Sequence, residues 1–167
     1  MALFPRLVGG QHLALSRTDG ENISLARSAD GVIWDDAGIV HRPTQLWELV
    51  QLGNCGAPIE TERGWLVLTH GVGPLRTYSL GAILLDLEDP SRVIARSTAP
   101  LLQPTGDLVD GYVPRVVYSC GGIAHRGTLW IPVGVGDQRI RVFSIAVDEL
   151  IESLSEEQQS DRPAEAR

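Results

Sequence analysis

Apolar and polar positions alternate with a strand-like period in three stretches of this chain, and each stretch folds back on itself at a glycine. Residues 3–8 turn at Gly9-Gly10 and return as residues 12–17. Residues 54–61 turn at Arg63-Gly64 and return through Trp65-Leu66-Val67-Leu68-Thr69-His70. Residues 116–124 turn at Arg126-Gly127 and return through Leu129-Trp130-Ile131-Pro132-Val133. Glycine at each turn permits the positive φ of a tight hairpin. A third strand is expected after each hairpin, over residues 23–28, 79–87 and 141–146, with a fourth in the middle unit over residues 93–97. The turns recur at intervals slightly longer than the ~40–50 residues of a propeller blade. The pattern predicts an all-β chain of repeated antiparallel sheets, read as about three blades. Helical spacing is confined to residues 148–154, a short C-terminal helix. The domain is placed at residues 1–152, with a polar, flexible tail over residues 153–167.

Composition narrows the function classes. The chain has 167 residues, 43 % hydrophobic and 21 % charged, enough for a real core. A net charge of −7 argues against a nucleic-acid partner, which needs a basic field. No apolar run approaches the ~20 residues of a membrane span, and the start shows no secretory h-region. With only Cys55 and Cys120, no disulfide framework is expected. Buried free thiols in a reducing cytoplasm are the reading adopted, so the expected location is cytoplasmic.

Antiparallel pairing brings the start of each first strand and the end of each second strand to one end of the sheets. That end gathers Arg17, Asn54, His70, Tyr78, Pro114, Arg115 and Asp137, beside Gly53, Gly71, Gly73 and Gly136. In a propeller such ends surround one funnel. Taken singly, His70 also reads as a strand-end histidine, Arg17 as a solvated charge, Tyr78 as a packed ring and Asp137 as a turn residue. Together, arginine, histidine and tyrosine suit an oxyanion such as phosphate, and an aspartate suits sugar hydroxyls. No metal-ligand spacing and no Ser/His/Asp arrangement is present. Gly134-Val135-Gly136 has no following helix and is not a dinucleotide fingerprint. Ser28-Ala29-Asp30-Gly31-Val32-Ile33-Trp34 is expected to be a turn capped by Asp30, resembling a shortened Asp-box.

Several segments in fixed order carry a resemblance: Ala2-Leu3-Phe4-Pro5, Gly56-Ala57-Pro58-Ile59-Glu60-Thr61, Gly64-Trp65-Leu66-Val67, His70-Gly71-Val72, Tyr78-Ser79-Leu80-Gly81-Ala82, Leu84-Leu85-Asp86-Leu87-Glu88-Asp89-Pro90, and Val113-Pro114 with Val117-Tyr118-Ser119-Cys120-Gly121. Over about residues 1–152 the chain resembles the C-terminal half of glycoside hydrolase family one-hundred-and-thirty, β-mannoside phosphorylases and some hydrolases on a five-bladed propeller. The resemblance implies phosphate binding by Arg17, His70 and Tyr78 and sugar contact by Asp137, and Asn54 and Arg115, gathered at the same strand ends, are the further candidates for substrate binding. It implies inverting attack by phosphate as co-substrate, with no cofactor and no metal. The general-acid aspartate of the family falls in its N-terminal half and has no counterpart in this chain. Arg115 stands where the family commonly has asparagine, and Met1 where a basic residue usually precedes the Ala-Leu-Phe-Pro segment. The expected partners are a β-mannoside oligosaccharide and inorganic phosphate. Three blades leave two apolar flanks open, so a homodimer or a complementing chain is expected to close the propeller. A non-catalytic sugar- or phosphate-binding module and an assembly piece are the alternatives. Within the enzyme reading phosphorolysis is preferred, because inverting hydrolysis needs a second carboxylate ~6.5–9.5 Å away and Asp137 has no convincing partner.

Overall fold

A computed structural model describes residues 1–156 as an all-β chain with one short helix. The first sheet runs β1 (Ala2–Leu3), β2 (His12–Ser16), β3 (Ile23–Ser28) and β4 (Asp35–His41), each antiparallel to the last. The second contains β5 (Gln51–Asn54), β6 (Ile59–Thr61), β7 (Gly64–Val72), β8 (Tyr78–Leu85) and β9 (Val93–Arg96). The third contains β10 (Val117–Tyr118), β11 (Ile123–His125), β12 (Thr128–Val135) and β13 (Arg139–Ala146). Helix α1 (Val147–Ser153) follows, and β14 (Ser155–Glu156) returns to the second sheet to pair with Ala95 and Arg96 of β9. Residues 157–167, within the expected polar tail, lie outside the described residues.

The all-β class, the three hairpins and the terminal helix agree with the sequence pattern. The strand expected over residues 3–8 is reduced to Ala2–Leu3 with a Val8–Gln11 bridge, and residues 155–156 of the expected flexible tail form β14. Two further details bear on how the sheets stack. The first sheet has a fourth strand, β4, so the Asp30 turn joins β3 to β4 within one sheet rather than linking two sheets. That strand lies at an edge, mostly exposed and bulged, and so lacks the alternation that marks a half-buried strand. In the turn, Asp30 Oδ1 accepts the Val32 and Ile33 N–H groups at 2.8 and 2.9 Å. The second detail is that two predicted strands are split. Both β5 and β6 pair with β7, and both β10 and β11 pair with β12. The breaks fall at Cys55-Gly56 and Cys120-Gly121, where both glycines have positive φ. A Cβ on Gly56 would lie 2.6 Å from the Cys120 carbonyl oxygen, and one on Gly121 3.1 Å from Gly56 Cα. The two interruptions therefore pack backbone to backbone and seat the third sheet against the second.

Strand β7 explains its own apolar run. Every residue is buried, because the second sheet is covered on both faces. Trp65 and Val67 join Leu13, Leu15, Leu52 and Ile83 between the first and second sheets. Leu66 and Leu68 join Leu129, Ile131, Val133 and Leu150 between the second and third. Trp65 meets Phe4 edge-on at 5.0 Å, lies under the Arg6 guanidinium, and donates from Nε1 to the Leu87 carbonyl at 3.1 Å. Among the described residues the far face of the third sheet has no such cover. Trp130, Ile123, Val142 and Ile140 share that face by strand pairing, and all are exposed.

Trp65→Ala is expected to destabilise the fold by ~3–5 kcal/mol, read as a lowered urea midpoint. An unchanged midpoint would contradict the assignment of Trp65 as the centre of the first core.

Candidate functional site

The ends of the strands converge as antiparallel pairing requires. Gly53 of β5 pairs with His70 of β7, and His70 pairs with Leu80 of β8. Two residues further along β7, Val72 pairs with Tyr78. His70, Tyr78 and Gly53 thus share one face of the second sheet. Gly53 has no side chain, and that vacancy is filled. A Cβ there would lie 2.5 Å from His70 Cε1, 2.9 Å from His70 Nε2 and 2.9 Å from Arg17 Cδ. Arg17, which follows β2 of the first sheet, lays its stem over the second sheet at this point and meets the imidazole.

The guanidinium is oriented from behind. Arg17 Nη2 donates to the Gly20 carbonyl, and with the Gln51 amide turned so that its oxygen faces the guanidinium, that oxygen accepts from Nη1 at 3.2 Å and Nη2 at 2.5 Å. Arg17 Nε is buried and has no hydrogen-bond partner among the described residues. An unmet donor beside a neutral histidine is a place for an acceptor from outside.

His70 is 4 % exposed. Burial, reinforced by the Arg17 charge, pushes its pKa down to about 4, so the ring is neutral near pH 7. Its Nδ1 lies 3.7 Å from Cys55 Sγ. Its ring meets Tyr118 of the third sheet with centroids 5.1 Å apart. Burial also raises the Tyr118 phenol above its ordinary value, so its hydroxyl keeps its proton.

The other predicted residues lie at the same end with different surroundings. The Tyr78 N–H donates to the Arg115 carbonyl at 3.0 Å. The Gly136 N–H donates to Val116 at 2.9 Å, and the Val113 N–H donates back to Gly136 at 2.9 Å. This lacing sets the 109–116 loop against the β12–β13 turn, which carries Asp137. Arg115 and Asp137 both have positive φ, and both side chains are exposed. Asn54 pairs with Thr69, which puts it on the face opposite His70, and its amide donates to the Gly56 carbonyl at 3.0 Å. Among the described residues no three His, Cys, Asp or Glu side chains come together as a metal site.

Sequence reasoning did not select Tyr118, Gln51, or Cys55 as a partner of His70. Comparison of the second and third sheets carries a signal for Tyr118. Gly53 opposes His70 in one, whereas Tyr118 opposes Gly134 in the other. Ring and glycine have exchanged strands, which lets the two rings meet.

With this geometry in view, the family is defined. A model described as beta-1,4-mannooligosaccharide phosphorylase matches residues 1–156, and the chain belongs to glycoside hydrolase family 130. It is 37 % identical over 151 residues to a 1,2-beta-oligomannan phosphorylase of Thermoanaerobacter sp. (strain X514), covering 89 % of this chain and 51 % of that protein. It is 33 % identical to a beta-1,2-mannobiose phosphorylase of Listeria innocua, covering 93 % and 46 %. The solved structure of a Listeria innocua beta-1,2-mannobiose phosphorylase, in complex with beta-1,2-mannobiose, superposes with a TM-score of 0.81 at 32 % identity. That superposition covers 92 % of this chain and 45 % of the other. The chain therefore spans about half the length of these relatives.

A pH dependence follows from the buried histidines. His41 is also buried, and its pKa is likewise pushed to about 4 by burial, with the Arg96 charge adding to it. Both rings ionise near 6.5 when unfolded. Between about pH 6.5 and 4 the unfolded chain thus binds more protons than the folded one, and stability is lost as pH falls through that window. The loss is on the order of 3 kcal/mol per histidine at most. Urea midpoints between pH 7 and pH 4 should fall, and His70→Asn should flatten part of the slope.

Proposed function

We propose that this chain supplies the phosphate side of a β-mannoside phosphorylase site within a five-bladed propeller, of which its three sheets are blades. Arg17, His70 and Tyr78 bind inorganic phosphate, and Arg115 and Asp137 face the sugar, whereas Asn54 is turned to the opposite face and holds the Gly56 carbonyl. The observation that carries the reading is the joint seat of Arg17 and His70 over Gly53. One fixed cation and a neutral ring stand side by side there, next to an unmet Nε donor. A neutral imidazole adds a directional donor, while arginine provides the charge.

In the reaction, a phosphate oxygen attacks the anomeric carbon from the face opposite the glycosidic bond. The C1–O bond breaks, its electron pair goes to the departing oxygen, and that oxygen takes a proton from an acid. The products are an inverted sugar 1-phosphate and a shortened acceptor. Arg17 and His70 hold the nucleophile and accept none of its bonds. No cofactor is required. The acid is supplied by further sheets covering the exposed Trp130–Ile123–Val142–Ile140 face, in the same polypeptide or a complementing chain. The exposure of that apolar face supports the closure. The names of the relatives support β-linked mannosides as the substrate class. The free thiols Cys55 and Cys120 support a cytoplasmic setting.

Calorimetric titration with inorganic phosphate tests the reading. The wild-type chain should bind, and Arg17→Ala and His70→Ala should each weaken binding about tenfold or more, as for a lost charge-assisted contact of ~1.5–3 kcal/mol. Gly53→Ala should do the same by displacing both side chains. Arg115→Ala should leave phosphate affinity unchanged. A wild-type chain that ignores phosphate at millimolar concentration would contradict the proposal.

A further inference from the structure

The mechanism leaves one buried group without a task, the Cys55 thiol between the second and third sheets. Cys55 is 2 % exposed, and its sulfur faces His70 Nδ1 at 3.7 Å. We propose that Cys55 is a positioning residue whose S–H donates to His70 Nδ1 and thereby fixes the imidazole tautomer with its proton on Nε2, the nitrogen over Gly53 beside Arg17.

Three observations converge on this assignment. Burial pushes the thiol up to about 12, so it keeps its proton and can donate. The backbone N–H of Ser119, just past β10, is directed at the same sulfur. With one N–H already directed at the sulfur, a second from His70 would add a donor where the protonated thiol has its own proton to place. Donation from the sulfur satisfies every group in the sequence Ser119 N–H to Cys55 S–H to His70 Nδ1. Nε2 is also the ring nitrogen closest to the vacant Cβ site of Gly53, and so to the arginine stem.

The consequence reaches across the fold. The close packing of Gly56 on Cys120 holds the Cys55 and Ser119 segments together. Seating of the third sheet thus decides which nitrogen of a second-sheet histidine carries the proton. The neutral ring then presents a donor, not a lone pair, to an oxyanion. The tautomer stands by itself, whereas its use in holding phosphate rests on the proposed function.

The test is a two-bond proton–nitrogen correlation spectrum of the full chain labelled with 15N-histidine, at neutral pH. The chain has four histidines, and loss of one pattern in His70→Asn assigns the site. The expected wild-type result is the Nε2–H pattern for His70. In Cys55→Ala, with the amide spectrum otherwise native, a substantial Nδ1–H population should appear. Cys55→Val, which keeps the volume filled, replaces the alanine variant if that variant does not fold. An Nδ1–H pattern in the wild type, or an unchanged Nε2–H pattern in a folded variant, would overturn the assignment. Added inorganic phosphate should then shift the His70 signals. If it leaves them still, the phosphate reading fails while the tautomer assignment survives.

Discussion

The second sheet is covered on both faces, and this constraint governs where polar chemistry can stand. A strand buried along its whole length offers a large side chain room only where a neighbour has none. Gly53 makes that room for His70 and the Arg17 stem. Gly71 and Gly81 make it on the opposite face for Trp47, whose ring would lie 2.5 Å from a Cβ at either position. The glycines of this sheet are therefore moulds for specific side chains from outside it. The functional end is assembled from three sheets because each glycine admits a residue from another strand or loop.

Burial also fixes the charge state. The loss of water and, after it, Coulomb repulsion from Arg17 both act against an imidazolium at position 70. The pair consequently offers one positive charge and neutral donors. A second cation would raise the affinity for anions in general. A neutral ring with a fixed proton adds direction without adding charge, which suits the proposed role of holding a phosphate nucleophile in line.

Much of the fold was legible in the sequence. The hairpin glycines and the β7 run follow from strand period and turn chemistry, and the terminal helix from its spacing. The β4 strand was not, because an exposed edge carries no core-facing alternation. The breaks at Cys55-Gly56 and Cys120-Gly121 were not, because a strand interrupted for inter-sheet contact keeps apolar residues on both sides of the gap. At the site, residues at strand ends were found by antiparallel geometry, so Arg17, His70 and Tyr78 were accessible. Tyr118 and Cys55 depend on how two sheets stack, and no periodicity within a single strand encodes that. Asn54 shows the reverse problem. It stands at the right end, yet strand alternation turns it to the other face and its amide is engaged by Gly56.

The third sheet ties these points together. Its inner face builds the second core, its first strand and the residue after it bring Tyr118 and Ser119 to the surroundings of His70 and Cys55, and its outer face is apolar and exposed. The central claim is that Arg17 and His70 form one oxyanion seat over Gly53. The most direct measurement is a crystal structure of the protein grown with inorganic phosphate. The account predicts a tetrahedral anion bonded to the Arg17 guanidinium and to His70 Nε2. Phosphate bound elsewhere, with the seat over Gly53 empty, would contradict it.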